Sequence, residues 1–304
     1  MKTVRTAIQL LTLFSPERPA LTVSGAASHF GLSASASSRL LSAMATAGLI
    51  QRGPDRAYRP GPLAYKLGLL YHSHNQLADL VNGAARKIVG ETGLTCWVSV
   101  LTGGDAMLIS RFPGPADQGF HVDAGNLLPA HASAGGKALL SRLSDDRLET
   151  VLTSSRLAPW TPKTKTDLRI ILSDIRATRE RGWSIIVDEL FEGVTSVGVA
   201  LSSPKETTPM ALSVSIPSAI RSVSRVAKAI NHLVASARDV ASMIADPAWG
   251  EGRQLPAEKE IVAAVEAYVA SKPKRVIVQK KLSGHAAAGS KTKARARASG
   301  RSLR

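Results

Sequence analysis

Residues 22–59 constrain the fold of this chain more than any other stretch. Two short segments with apolar residues at helical spacing flank Gly31, and a second glycine, Gly48, follows the second segment. Glycine ends helices at little cost because it adopts the left-handed conformation. A Gly-Pro-Asp turn at residues 53–55 then separates two short candidate strands, residues 49–52 and 57–59. The pattern predicts a winged helix-turn-helix, whose second helix is shaped to enter the major groove of DNA.

Hydroxyl and basic side chains are expected on the DNA-facing side of this module. Ser33 is placed to cap the second helix, and Thr22 or Ser24 the first, because their oxygens accept backbone N–H bonds. The apolar positions expected to face inward in the second helix are Ala36, Leu40, Leu41 and Met44. The predicted DNA contacts are Thr22, Ser33, Ser35, Ser37, Ser38, Arg39, Arg52, Arg56 and Arg59. The alternative is a small helical domain that binds no nucleic acid.

Charge is distributed unevenly along the 304 residues. Residues 1–75 carry eight basic and two acidic side chains, and residues 76–270 carry 20 basic and 21 acidic ones. Residues 271–304 carry 11 basic and no acidic side chains. Both ends of the chain therefore suit a polyanionic partner, whereas the near-neutral middle does not.

Composition excludes several classes of protein. The single cysteine, Cys96, permits neither an intramolecular disulfide nor a cysteine-based zinc site, and it is expected in the core. No apolar run is long enough to span a membrane. The first residues are amphipathic and lack a secretory pattern, so we expect a cytoplasmic, bacterial protein associated with the nucleoid. No phosphate loop, dinucleotide fingerprint or metal-ligand spacing predicts a cofactor.

The middle of the chain is predicted to be α+β with a largely antiparallel sheet. The expected strands are residues 95–101, 105–111, 120–123, 183–187, 196–202 and 209–216, and the expected helices open near Ser133, Ser144, Asp167 and Ala219. The predicted domains are a DNA-binding domain at 1–62, a linker helix with a possible dimer contact at 63–82, an effector and oligomerisation domain at 83–245, and a basic, largely disordered extension at 246–304.

The extension has an unusual composition. Residues 258–270 can form a helix, but residues 271–304 are rich in Lys, Arg, Ala, Gly and Ser and cannot bury enough surface to fold alone. One interpretation is a non-specific phosphate tether that raises the local DNA concentration. The other is a solvated tail that keeps the protein soluble.

The order of several separated segments resembles the IclR family of bacterial transcriptional regulators over roughly residues 3–244. The segments are residues 31–41, 58–62, 128–139, 179–183, 188–194 and 212–215, of which Pro129-Ala-His-Ala-Ser-Ala-Gly-Gly-Lys-Ala138 is the most specific. The resemblance implies a winged helix-turn-helix joined by a helix to a GAF-like α/β effector domain. It also implies dimers or dimers of dimers on double-stranded operator DNA, with affinity altered by a small organic acid or aromatic effector.

Carried over by position, the resemblance implies an effector pocket. Its residues would be Phe120, Leu128, Ala134, Gly135, Ile186, Val194, Ser196, Ser213 and Ser215. Ser213 and Ser215 are two residues apart in a predicted strand, so both hydroxyls face one side and can donate to the same ligand. Relatives often have an acidic residue at the position of Ile186, so this pocket is expected to be more apolar and to favour an aromatic or larger hydrophobic acid.

Two other functions are alternatives to a ligand-responsive regulator. His131, Ser133 and Lys137 lie close in sequence and Asp188-Glu189 offers a carboxylate, but no catalytic motif accompanies them, so we expect no enzyme. The basic tail favours the second alternative, a nucleoid-type architectural protein whose DNA binding is independent of sequence and highly sensitive to salt.

Overall fold

The computed structural model describes residues 2–73, 75–115, 122–205, 208–217, 220–250 and 257–270. The first helices are α1 (Lys2–Leu11), α2 (Val23–Phe30) and α3 (Ala34–Thr46). Thr22 caps α2 by accepting a hydrogen bond from the Gly25 amide, and Ser33 caps α3 in the same way from Ala36. Gly31 ends α2 with a φ of 62°, which explains why a glycine stands between the two helices.

A short antiparallel hairpin completes the first domain. Its strands are β1 (Ile50–Arg52) and β2 (Tyr58–Pro60), and Leu21 adds two backbone hydrogen bonds of 2.8 Å to Tyr58. The buried side chains that hold helices and hairpin together include Leu10, Leu41, Met44, Ile50 and Tyr58. The predicted winged helix-turn-helix is therefore confirmed.

A six-stranded antiparallel sheet forms the second domain, in the order β5-β4-β3-β8-β7-β6. The strands are β3 (Cys96–Thr102), β4 (Asp105–Phe112), β5 (Leu127–Pro129), β6 (Ser184–Val187), β7 (Val194–Leu201) and β8 (Met210–Pro217). The third strand was expected at residues 120–123. Residues 120 and 121 lie outside the described residues, Val122 and Asp123 are not in a strand, and the strand paired with β4 is instead β5.

Helices cover both faces of this sheet. The helices that follow the first domain are α4 (Pro62–Ser73), α5 (Gln76–Thr92), α6 (Ala134–Leu140), α7 (Asp145–Ser154), α8 (Leu168–Arg181), α9 (Val223–Ile244) and α10 (Glu258–Ala270). Apolar residues of α5 and α9 pack with alternate residues of the central strands in the largest core cluster. On the opposite face α6 contacts β3, β7 and β8, and a separate apolar cluster joins α6, α7 and α8.

The expected linker helix over residues 63–82 is not one helix. The chain forms α4, and then a new helix, α5, is capped by the Asn75 side chain, which accepts a hydrogen bond from the Ala78 amide. Leu77 and Val81 are fully buried in the core of the second domain, so α5 belongs to that domain and only α4 connects the two. The break was missed because apolar residues continue at helical spacing through it.

The chain beyond residue 245 is also more ordered than the predicted extension. Asp246 is buried, where it accepts a hydrogen bond from Arg142 and one of 2.7 Å from the Ser202 amide. Trp249 is buried as well and donates to the Ala200 carbonyl at 3.0 Å. Helix α10 packs against α9 and β6. Residues 271–304, including the predicted disordered tail, lie outside the described residues.

Candidate functional site

The exposed side of α3 and the β1–β2 turn form the candidate DNA-binding surface. Ser35 and Arg39 on α3 are exposed, as are Arg52 and Arg56 on the hairpin. The guanidinium of Arg52 lies 5.8 Å from the centre of the Tyr58 ring, which supports its position beside the hairpin. Ser38 is partly exposed, and the Thr22 and Ser33 hydroxyls are engaged in capping their helices.

Ser37 does not belong to this surface, contrary to the prediction. Its side chain is fully buried, and its hydroxyl has no hydrogen-bond partner among the described residues. Ser37 lies four residues before Leu41 and seven before Met44, so all three lie on the inner face of α3. A serine at that position gives no hydrophobic signal, which is why sequence reasoning placed it outside.

Arg59 is held by an ion pair within the hairpin. Its two terminal nitrogens donate to the two carboxylate oxygens of Asp55 at 2.9 and 2.7 Å. Hydrogen bonds from Arg59 and from the Ala57 amide lower the pKa of Asp55 to about 2. The pair fixes the hairpin turn, and it neutralises a cation that was expected to contact DNA.

A cavity lies between the sheet and the N-terminal end of α6, with about 520 Å³ of space not filled by atoms, part of it open to solvent. Strand residues two positions apart supply its floor, because alternate side chains point to the same face. The lining residues are Trp97, Ser99, Ala106, Leu108, Val122, Leu128, Ser133, Ala134, Gly135, Gly136, Ile186, Leu190, Phe191, Val194, Ser196, Ser213 and Ser215.

Eight of the nine residues expected in an effector pocket line this one cavity. Phe120, the ninth, lies outside the described residues. Sequence reasoning missed Trp97, Ser99, Ala106 and Leu108 on β3 and β4, and Leu190 and Phe191 in the β6–β7 turn. The β3 and β4 residues could have been predicted from the sequence, because they alternate along their strands in the same way as Ser213 and Ser215.

Serine hydroxyls supply polar groups of the cavity. The Ser196 and Ser215 hydroxyls are 2.7 Å apart on neighbouring strands, while Ser99 Oγ is buried with no partner among the described residues. A Cβ atom on Gly135 would lie 2.6 Å from Ser99 Oγ, so the glycine is what allows α6 to approach β3. Ser99 therefore leaves a buried hydroxyl without a partner among the described residues at the edge of the cavity.

Backbone amides at the start of α6 add further donors. The Ser133 hydroxyl already accepts the Gly136 amide, at 3.2 Å. The amides of Ala134 and Gly135 form no hydrogen bond with the residues described by the structure. These two unpaired donors lie in the wall of a cavity lined mainly by apolar side chains and by several serines, where an acceptor oxygen would satisfy them.

The residues weighed for catalysis are all engaged in structural contacts. His131 is buried, its Nε2 lies 3.3 Å from the Ala158 carbonyl, and burial lowers the pKa of its ring. Ser133 caps α6, and Asp188 pairs with Lys163 at the surface. Lys137 is fully buried between carboxylates. Within the described residues no group of three His, Cys, Asp or Glu side chains could hold a metal ion.

Cys96 is a packing residue, as predicted. Its side chain is completely buried in the core between the sheet and α5 and α9. Burial raises the pKa of the thiol to about 12, so the group is protonated and unreactive at neutral pH. Among the described helices none is long and apolar enough to cross a bilayer.

A winged helix-turn-helix followed by a sheet domain with a cavity beside one helix is the architecture of a DNA-binding transcriptional regulator. Residues 3–54 match the IclR helix-turn-helix domain, and residues 70–242 match the family described as bacterial transcriptional regulator IclR C-terminal. The chain belongs to the IclR family of bacterial transcriptional regulators.

A named relative and two solved structures are similar to most of this chain. The HTH-type transcriptional regulator XynR of Escherichia coli K12 is 26% identical over 216 residues, 71% of this chain and 86% of XynR. A regulator of this family from Silicibacter sp. TM1040 superposes with a TM-score of 0.73 at 24% identity, covering 84% of this chain and 98% of that one. An IclR homologue from Microbacterium hydrocarbonoxydans, solved with 4-hydroxybenzoate, gives 0.66 at 20% identity and coverage of 79% and 99%.

Proposed function

We propose that this regulator's affinity for operator DNA is controlled by a small organic acid that binds in the cavity beside α6. The observation that carries the proposal is the combination of an apolar lining with unpaired polar donors. The amides of Ala134 and Gly135 and the hydroxyl of Ser99 all lie without partners among the described residues. A carboxylate oxygen accepts such hydrogen bonds, and each is stronger in an apolar surrounding than in water.

The lining favours an aromatic or larger hydrophobic acid over a two- or three-carbon one. Trp97, Leu108 and Phe191 provide apolar walls, and Ile186 is buried where relatives often have an acidic side chain. The Microbacterium homologue, whose bound ligand is an aromatic acid, supports this class of effector. The residues proposed to contact the acid are Phe120, Leu128, Ala134, Gly135, Ile186, Val194, Ser196, Ser213 and Ser215.

We propose that DNA is read by α3 and held by the hairpin, with the regulator acting at the nucleoid in the cytoplasm. The exposure of Ser35 and Arg39 supports base or phosphate contacts, and Arg52 and Arg56 suit the backbone. Thr22, Ser33 and Ser38 would contribute phosphate contacts, as would Arg59 once it exchanges Asp55 for DNA. Ser37 is buried and is therefore not among the proposed DNA contacts.

We propose a homodimer, or a dimer of dimers, formed through α4. This helix carries large apolar side chains that are more than two-fifths exposed in the single chain: Tyr65, Leu67, Leu69, Leu70 and Tyr71. So many exposed apolar side chains on one helix, with Leu67, Leu70 and Tyr71 on the same side, indicate a protein interface, and two copies are what a pair of operator half-sites requires. Leu67→Asp should shift the protein from dimer to monomer in light scattering. Lys66→Asp, a matched change on the same helix, should not; equal masses for both variants would refute the α4 interface.

The decisive experiment is fluorescence anisotropy with the DNA upstream of the regulator's own gene. The titration would be run at about 150 mM salt against unrelated competitor DNA, with and without a panel of acids that includes 4-hydroxybenzoate, benzoate and pyruvate. We expect specific binding that one class of acid shifts, and loss of that shift in Ser213→Val. Ser110→Val lies on β4 outside the cavity and should respond as the wild type.

The same titration distinguishes the rival functions. Equal binding to all DNA with no effect of any acid would favour a nucleoid-type architectural protein. The 11 basic residues of the C-terminal tail support this alternative. Deletion of residues 271–304 would then remove most of the affinity. If the tail is only a tether, the deletion should flatten the salt dependence and leave sequence preference intact. We propose that the chain has no catalytic role.

A further inference from the structure

Five buried or half-buried polar side chains form a cluster behind the cavity, here called the Lys137 cluster: Lys137, Lys165, Asp174, Glu189 and Tyr268. The Lys137 ammonium is fully buried and lies 2.6 Å from Asp174 Oδ2 and 2.8 Å from Glu189 Oε2. Lys165 lies 3.0 Å from Asp174, and its ammonium is 4.0 Å from the centre of the Tyr268 ring. The Tyr268 hydroxyl hydrogen-bonds to Glu189 and accepts from Lys137 at 3.0 Å.

The cluster contains two lysines and two carboxylates, and Arg181 lies 4.0 Å from Asp174 at its edge. Burial would lower the pKa of Lys137, but the carboxylates of Glu189 and Asp174 outweigh that effect and raise it. Burial likewise opposes ionisation of Asp174, yet Lys137 and Lys165 bring the pKa of Asp174 to about 2. A buried ionic group of this kind tolerates little displacement, because each member loses its compensating partner when it moves.

Tyr268 reaches this cluster from α10, which lies beyond the residues that match the family. Ile261 and Val265 anchor the helix, since both are buried in the core that α9 helps to form. The hydroxyl of Tyr268 is thus carried into the effector domain by an element separated from Glu189 by 79 residues of sequence.

The cluster also connects two walls of the cavity. Lys137 directly follows Gly136 in the wall formed by α6, and Glu189 directly precedes Leu190 and Phe191 in the wall formed by the β6–β7 turn. The Lys137–Glu189 pair therefore joins the two walls from behind. A shift of Leu190 and Phe191 to admit or release a ligand would move Glu189 relative to both Lys137 and Tyr268.

We propose that α10 is a strap whose docking through Tyr268 sets the geometry of the effector cavity. The effect of α10 on effector binding rests on the proposed function, but the coupling between α10 and the β6–β7 turn does not. Because linkage is reciprocal, a ligand that repositions the β6–β7 turn changes the docking of α10 by the same free energy with which α10 changes ligand affinity. The basic residues of the tail, which begin at Lys272, follow closely on this strap in sequence.

The test is hydrogen–deuterium exchange of the full chain, with no DNA or ligand present, in wild type and Tyr268→Phe. The substitution removes one oxygen and retains the ring over Lys165. The amides to follow are Asp188, which donates to Val194 O at 2.8 Å, and Gly193, which donates to the Asp188 carboxylate at 2.9 Å. We expect these to exchange about tenfold faster, the order set by one lost hydrogen bond to charged groups.

Two controls separate coupling from general loss of stability. Glu266→Gln, on the exposed side of α10, should leave residues 188–193 unchanged. Ile175→Val weakens the apolar cluster of α6, α7 and α8 and calibrates how these amides respond to a comparable fall in Tm. Faster exchange confined to residues 258–270, or an effect at 188–193 no larger than that of Ile175→Val, would overturn the strap. Failure of the acid titration would leave this result unaffected.

Discussion

Replacing Lys137 with methionine tests the energetics of the buried cluster. Methionine has a similar length, so the change removes the charge without leaving a large cavity. Asp174 retains Lys165 at 3.0 Å, whereas Glu189 is left with Lys165 at 3.9 Å. Removing one partner of a buried pair costs about 3–5 kcal/mol. Because Lys165 remains near both carboxylates, we expect a loss of unfolding free energy at the lower end of this range, about 3 kcal/mol. This corresponds to a fall in Tm of about 6–12 °C.

The assay is urea unfolding followed by tryptophan fluorescence, with two matched variants. Lys163→Met breaks an ion pair whose lysine is 51% exposed, and it should cost less than about 1 kcal/mol. The double variant Lys137→Met/Glu189→Gln should recover part of the loss, because the second change removes the uncompensated carboxylate. The argument for a buried, unscreened pair would be refuted by a loss for Lys137→Met as small as that for Lys163→Met, or by no recovery in the double variant.

Three further outcomes are expected. The pKa of Asp174 is lowered from 3.8 to about 2, so this carboxylate contributes stability above pH 4 that is lost as the pH falls from about 4 to about 2. In acid-unfolding curves, the free energies of unfolding of wild type and Asp174→Asn should therefore approach each other by about 2 kcal/mol over that range. Ser37→Ala should leave DNA affinity unchanged, whereas Arg39→Ala should weaken binding and flatten its salt slope by about one unit; equal effects would show that Ser37 is accessible. Asp55→Ala removes the ion pair that Arg59 must give up when it contacts DNA, so it should tighten DNA binding, and an unchanged Kd would place Arg59 away from phosphate.

The sequence predicts the parts of this fold that depend on local chemistry. The helix-turn-helix is predicted by Gly31 together with Thr22 and Ser33, because helix termination by glycine and capping by hydroxyls depend on only a few neighbouring residues. The two-residue spacing of Ser213 and Ser215 similarly predicts that both face one side of a strand. The resemblance to the family then supplied the remaining positions of the cavity, which alternation alone does not bring together.

What the sequence could not predict depends on contacts between distant segments. Ser37 faces inward because the helix carries it beside Leu41 and Met44, and its own side chain gives no sign of this. The three-residue strand β5 exists because β4 offers it an edge. The docking of α10 requires Tyr268 to meet Glu189, and an isolated tyrosine in a short amphipathic segment carries no information about a partner so far away.

The cavity described beside α6 has a consequence for proton linkage. Among the described residues that line it, none has a side chain that gains or loses a proton near neutral pH. An acid bound against these residues brings its own charge, and none of their side chains changes protonation to compensate for it. The contribution of these lining residues to binding should therefore be independent of pH near neutrality. Any pH dependence of binding near neutrality would then come from the free acid or from groups outside this described lining.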